Sequence, residues 1–127
     1  MSYSLTSIIS KEYVLIKIEG TWPTQKNDVN DLITQIYDIW EKEKKKYALI
    51  DIENIHDTPS IVSDYYTAKL FVDAGFRNIN KIAVLDKIQR QKANRFFETT
   101  STNQGMQLHF FYSGKEEAIN WFAQENI

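Results

Sequence analysis

The stretch KIAVLD, residues 81–86, decides the fold. Its interior is a continuous apolar run, which is expected for a strand that is covered on both faces. Residues 88–101 follow it with a helical pattern. The apolar residues available for the inner face of that helix are Ile88, Ala93, Phe96 and Phe97. A doubly covered strand that leads into a helix indicates an α/β protein with parallel strands.

Four more strands are predicted around this one. They cover residues 3–9, 12–19, 47–54 and 107–112. The second shows the clearest alternation, because Val14, Ile16 and Ile18 share one face. Only a short connection separates the first strand from the second, so the two are expected to form a hairpin.

Three more helices are predicted from their periodicity and end signals. They cover residues 24–44, 59–74 and a segment that starts at residue 113. Thr24 is the expected N-cap of the first, and Gly75 is placed to end the second in the left-handed conformation. Ser113 and Glu116 have the spacing of a capping box at the start of the last.

These elements follow the order β-β-α-β-α-β-α-β-α in a single domain of residues 1–127. Strands separated by helices pair in parallel through right-handed crossovers, and the first strand pairs antiparallel at one edge. The predicted fold is α/β, with a mixed sheet of about five strands and four helices. With the strands in chain order, the helices are expected to collect on one face, and a homodimer would cover the apolar other face.

The composition excludes several classes of function. The chain has no cysteine, which excludes disulfides and thiolate chemistry and predicts a cytoplasmic location. Its formal net charge is −2, so it has no basic excess for binding nucleic acid. No signal peptide is recognisable at the start, and no apolar stretch is long enough to span a membrane.

No motif predicts catalysis, a metal site or a cofactor. The segment SGKEEA, residues 113–118, lacks the longer glycine-rich run and the hydroxyl of a phosphate-binding loop. His56 lies beside Asp57, a pairing that can tune a base, but no nucleophile stands near them. His109 is expected to pack within a strand or to lie on the surface. We therefore predict that the protein is not an enzyme.

Polar and aromatic residues fall near the carboxyl ends of the predicted strands, where ligands of open α/β sheets collect. This candidate ligand rim consists of Trp22, Asn54, His56, Asp86, Lys87 and Tyr112. Such a mixture of groups suits a small amphiphilic ligand. Ordinary loop composition explains the same residues without a ligand, and both interpretations stay open.

Two stretches resemble a known family. KIAVLDK, residues 81–87, and NRFFETTSTNQGMQLHFFYSGKEEAINWF, residues 94–122, are similar to the SpoIIAA-like branch of the STAS superfamily. The likeness covers most of residues 12–122 and contains no catalytic signature. It implies a βα superhelix with strands adjacent in chain order, a fold shared with CRAL-TRIO lipid-binding domains.

The resemblance also implies action through a protein partner. Typical STAS proteins are antagonists of anti-sigma factors, switched by a kinase that phosphorylates one serine after the third strand. Their pattern there is an aspartate, two hydroxyl residues and a glycine, and the second hydroxyl is the phosphoacceptor. Here Asp57 and Thr58 match the first two positions, but Pro59 replaces the phosphoacceptor and Ser60 replaces the glycine.

Helix capping explains this segment without a switch. Thr58 suits an N-cap, and Pro59 has the right φ for the first helical position. A switch shifted to Thr58 or Ser60 stays open as an alternative, because a phosphate near a helix start is electrostatically tolerable.

The sequence therefore predicts a non-catalytic regulatory or protein-binding domain without the usual phosphoserine switch. The residues predicted to bind the unknown partner, or to regulate it, are Asp57, Thr58, Ser60, Asp64 and Tyr65. The alternative is a carrier of a small lipid-like ligand that uses the candidate ligand rim.

Overall fold

The strands of the sheet follow one another in chain order. The computed structural model describes residues 2–56 and 65–124, except for the side chains of residues 65 and 66. The strands in this part are β1 (Tyr3–Ile9), β2 (Tyr13–Gly20), β3 (Tyr47–Asp51), β4 (Lys81–Leu85) and β5 (Leu108–Phe111). The α-helices in the same part are α1 (Lys26–Glu43), α2 (Tyr65–Ala74), α3 (Gln91–Asn103) and α4 (Lys115–Ala123).

The sheet has the order β1-β2-β3-β4-β5. β1 pairs antiparallel with β2, with Leu5 opposite Ile18, and the pairs from β2 to β5 are all parallel. Each parallel crossover passes through a helix, because parallel neighbours need a long connection. The predicted α/β fold, with an antiparallel first strand at the edge of a mixed sheet, is confirmed.

Helices cover both faces of the sheet. The larger core lies between one face and helices α1, α2 and α3, and it includes Ile16 and Ile82. On the other face, Ala118 and Phe122 of α4 pack with Leu49 and Leu85. All five residues of β4 are buried, as its apolar run predicts.

The prediction that all helices collect on one face is therefore wrong. The handedness rule applies to a helix that joins two parallel strands. Since α4 follows the last strand and leads to no further one, the rule does not fix its side of the sheet. The apolar face that the predicted homodimer would cover is already covered by α4.

Two predicted helix starts differ from the structure. α1 begins after Gln25 rather than Thr24, and no side chain caps it. α4 begins after Gly114, so Ser113 is not the N-cap and the capping box with Glu116 is not formed. None of the helices described has both the length and the apolar character of a membrane span.

The inner face of α3 also differs from the prediction. Ile88 and Phe96 are 53% and 54% exposed, whereas Phe97 is buried as expected. Ile88 belongs to a short 3-10 turn before the helix, and α3 turns Asn94 and Ser101 inward instead. Because these buried residues are polar, the apolar periodicity of the sequence did not show which face of α3 is buried.

Gly75 ends α2 in the predicted way. Its φ is +113°, and its N–H donates to the carbonyl of Val72 at 3.0 Å. A Cβ atom at this position would lie 2.8 Å from Cζ of Tyr37. Glycine is therefore required here both by the backbone conformation and by the neighbouring ring.

Candidate functional site

The candidate site lies at the carboxyl end of β3, where the chain leaves the sheet towards residues 57–64. β3 ends at Asp51, earlier than predicted, because the chain turns after Ile52. It then returns to the end of β2. The N–H of Gly20 donates to the carbonyl of Asn54 at 3.4 Å, and the N–H of His56 donates to the carbonyl of Gly20 at 2.9 Å.

A buried arginine holds the same segment from the other side. Arg90 is 6% exposed, and its Nη1 donates to Oδ1 of Asp86 at 2.6 Å. The guanidinium also donates to the carbonyl of Ile52 at 3.3 Å and to that of Ile55 at 2.7 Å. Because one planar group binds two carbonyls of the turn, it fixes the backbone just before residue 57.

The carboxylate of Asp86 accepts hydrogen bonds from two further donors. This residue is fully buried, and Nδ2 of Asn94 donates to Oδ2 at 2.8 Å while the N–H of Lys87 donates to Oδ1 at 2.7 Å. Buried charges are stable in proteins when they are paired and hydrogen-bonded in this way. Asp86, Arg90 and Asn94 thus form a buried polar network, named here the Asp86 network.

Sequence analysis missed Arg90 and Asn94. Their spacing from Asp86 is a helical one of four and eight residues, which is the signal that could have found them. The carbonyl partners could not be found in this way, because they lie 38 and 35 residues from Arg90 in the chain.

Two carboxylates lie next to the turn. The N–H of Glu53 donates to Oδ1 of Asp51 at 2.9 Å. Burial raises the pKa of Glu53, and the negative charges of Asp51 and Asp86 raise it further, while Lys17 opposes the shift. Burial and the neighbouring carboxylates therefore make the ionised form of Glu53 less favourable.

A second group of polar residues lies where α3 meets β5. Oε1 of Glu98 accepts the N–H of Phe110 at 2.8 Å and lies 3.2 Å from Nδ1 of His109. Burial raises the pKa of Tyr112, with Glu98 as a further cause, and a hydrogen bond with Asn94 opposes the shift. Glu98, His109 and Tyr112 line a cavity of about 210 Å³ at this edge of the sheet.

The candidate ligand rim is only partly exposed. Trp22 is 4% exposed and belongs to the same core cluster as Val29 and Leu32 of α1. Asp86 is buried by the Asp86 network, so neither residue lines an open rim. Asn54, His56 and Lys87 are exposed, and Tyr112 is half-buried.

The predicted partner-binding residues lie mostly outside the described residues. Asp57, Thr58, Ser60 and Asp64 belong to the segment that is not described, and Tyr65 is the first residue of α2. The described flanks of this segment are His56, whose N–H donates to Gly20 at the end of β2, and Tyr65 at the start of α2.

The described residues offer no assembled metal site. They contain no group of three or more histidine or acidic residues that could hold a metal ion.

A cavity of about 760 Å³ lies at the opposite end of the sheet, beside Tyr47, Lys81 and Phe122. Nζ of Lys81 donates there to the carbonyls of Trp121 at 2.7 Å and Gln124 at 2.6 Å, which anchors the end of α4.

Solved structures with this architecture include anti-sigma factor antagonists. One from Mycobacterium paratuberculosis is 11% identical with a TM-score of 0.63, over 97% of this chain and 96% of that chain. Unphosphorylated SpoIIAA is 15% identical with a TM-score of 0.57, over 98% of this chain and 100% of that chain. None of the protein-family models matches the sequence, and no curated protein is significantly similar to it.

A third similar structure is not described as an antagonist. It is an uncharacterized protein of the DUF3478 family with a SpoIIAA-like fold, from Shewanella loihica. It is 17% identical with a TM-score of 0.56, over 94% of this chain and 92% of that chain. The chain therefore has the SpoIIAA-like fold that the sequence resemblance implied.

Proposed function

We propose that the chain is a non-catalytic regulatory domain that binds a protein partner through residues 57–65. The observation that carries this proposal is the anchoring of the backbone on which that segment begins. Arg90 binds the carbonyls of Ile52 and Ile55, and Gly20 binds the backbone of Asn54 and His56. A rigid base of this kind lowers the conformational cost of presenting a binding segment.

The fold supports a role through protein contacts. Two of the similar structures are anti-sigma factor antagonists, which supports a role on a protein partner. The described part of the chain also contains no group of three or more histidine or acidic residues that could hold a metal ion. We therefore propose binding rather than catalysis, in the cytoplasm.

The proposed domain works without the usual phosphoserine switch. By the family resemblance, Pro59 stands where the phosphoacceptor is expected, and proline has no hydroxyl group. Intact mass measurement of protein purified from its own host tests this point. A phosphate-sized increment that maps to Thr58 or Ser60 would replace the proposal with a switch in a shifted register.

The binding surface is tested by comparing variants in a quantitative pull-down from host lysate. Asp64→Lys combined with Tyr65→Ala should lose the partners that the wild type captures. Asp38→Lys, an equal charge reversal on the exposed face of α1, should keep them. Urea unfolding of both variants shows whether the fold is intact.

The binding constant of a captured partner, once purified, decides the outcome. We expect the double variant to weaken binding at least about thirtyfold, since a hot-spot residue contributes about 2 kcal/mol or more. Equal binding by a folded double variant would show that this surface is wrong.

The small-ligand alternative stays a prediction. Two members of its rim are buried, and the cavity of about 760 Å³ lies at the other end of the sheet, whereas a smaller cavity of about 210 Å³ is lined by Tyr112 of the rim. Native mass spectrometry of the purified protein tests it directly, because a lipid-like ligand would appear as an adduct on the intact chain.

A further inference from the structure

β1 is an edge strand, and within the described residues it carries no feature that protects it against pairing. It has seven residues, YSLTSII, without charge, proline or glycine. Edge strands of soluble proteins usually carry a lysine, a proline or a bulge that prevents pairing with another strand. The register with β2 is regular along the whole strand, so no bulge interrupts it.

The ladder with β2 shows which main-chain groups of β1 face outward. Just outside the strand, the carbonyl of Ser2 accepts the N–H of Thr21 at 3.0 Å, and the N–H of Ser10 donates to Tyr13 at 2.9 Å. Residues of an antiparallel strand bond to their neighbour alternately. Even-numbered residues therefore bond to β2, and odd-numbered ones turn their N–H and carbonyl groups away from it. The outward-facing residues are Tyr3, Leu5, Ser7 and Ile9.

The other edge of the sheet differs. β5 has four residues, and the N–H of Phe110 is already taken by the carboxylate of Glu98 at 2.8 Å. α3 also packs against β5. Only one of the two edges thus presents an unprotected row of main-chain groups within the part of the chain described.

We infer that β1 pairs antiparallel with β1 of a second copy of this chain. Odd-numbered residues must pair with odd-numbered residues, and a two-fold axis at Thr6 aligns all seven positions. Tyr3 then lies opposite Ile9 of the second copy, and Leu5 lies opposite Ser7. The two five-stranded sheets become one continuous sheet across the axis.

A second copy fits this edge for reasons of charge and burial. Neither strand brings a charged group to the pair, so no like charges oppose each other. Ile8 and Ile9 are 65% and 53% exposed and are among the four most exposed large apolar residues described. The two-fold pairing places Ile8 opposite Ser4 and Ile9 opposite Tyr3, so both gain contacts across the interface.

A single introduced cysteine tests the axis, because the chain has none of its own. At Thr6 the two copies form a non-hydrogen-bonded pair with Cα atoms about 4.5 Å apart, close enough for a disulfide. Thr6→Cys should therefore become a covalent dimer under mild oxidation at low protein concentration. Ser4→Cys is the matched control, since its two copies lie roughly 14 Å apart along the strands.

A second pair of variants tests the association without a cross-link. Thr6 is exposed, so Thr6→Lys leaves the fold intact and places two ammonium groups opposite each other. Mass measurement in solution should show a dimer for the wild type and for Thr6→Val, and a monomer for Thr6→Lys. A monomeric wild type at micromolar concentration, or equal cross-linking of Ser4→Cys and Thr6→Cys, would overturn the inference.

Discussion

Replacing Arg90 by methionine tests the central feature of the candidate site. The change leaves the carboxylate of Asp86 buried without its ion-pair partner, a loss of about 3–5 kcal/mol in measured cases. The carbonyls of Ile52 and Ile55 also lose a donor, and an unsatisfied buried acceptor costs about 1–3 kcal/mol. Since such terms do not add fully, we expect the free energy of unfolding to fall by about 4–6 kcal/mol.

Urea unfolding followed by circular dichroism measures this change. Arg95→Met is the matched control, because Arg95 is exposed on α3, which begins directly after Arg90, and its loss should change the free energy of unfolding by less than about 0.5 kcal/mol. Adding Asp86→Asn to Arg90→Met removes the uncompensated charge. The double variant should therefore be more stable than the sum of the single changes predicts, by about 1–3 kcal/mol.

The same experiment can refute the reasoning. If Arg90→Met lowers the free energy of unfolding by less than about 1.5 kcal/mol, the guanidinium contributes no more than one charged hydrogen bond. If the double-variant cycle shows no coupling, the ion pair does not hold the turn. Arg90 would then not be the anchor of the backbone just before residue 57.

Three further changes test other parts of the structure. Lys81→Met removes the buried ammonium from the end of α4, and urea unfolding should show a loss of about 2–3 kcal/mol, with exposed Lys42→Met as the control. Gly75→Ala should lower the free energy of unfolding by about 1–3 kcal/mol, because the φ of +113° and the ring of Tyr37 both oppose a side chain. An unchanged urea midpoint would contradict this. The pKa of Glu53 is raised in the folded state. Its contribution to the free energy of unfolding is therefore fully present below the ordinary pKa of 4.5, and it is lost as the pH rises through the folded-state pKa. Glu53→Gln should therefore raise the urea midpoint at pH 7 and leave it unchanged at about pH 3.5; the opposite trend would be inconsistent with the shift.

The fold could be predicted because its main signal is local. The apolar run of β4 indicated a strand covered on both faces, and all its residues are buried. The same run should have excluded the expectation that every helix lies on one face. That expectation rested on crossover handedness, which has no bearing on α4, the helix after the last strand.

The candidate site could be predicted only in outline, because its contacts are long-range. The carboxyl end of β3 was identified from the order of elements, but Trp22 and Asp86 could not be recognised as buried. Asp86 is buried through a partner four residues away, and that partner is itself held by carbonyls 35 and 38 residues distant. A sequence pattern shows the helical spacing of Arg90 but not the turn that it binds.

Gly20 connects the two surfaces proposed here. It pairs with Tyr3 at the start of β1, and its backbone binds Asn54 and His56 just before the predicted partner segment. Its φ is +109°, and a Cβ would lie 2.5 Å from the carbonyl oxygen of Ser2, so no other residue fits without moving the backbone. Because one residue holds both elements, the edge of β1 and the start of the partner segment keep a fixed relation. A dimer through β1 would therefore present two copies of that segment in a defined two-fold arrangement, which favours a partner that is itself two-fold symmetric or carries two binding sites.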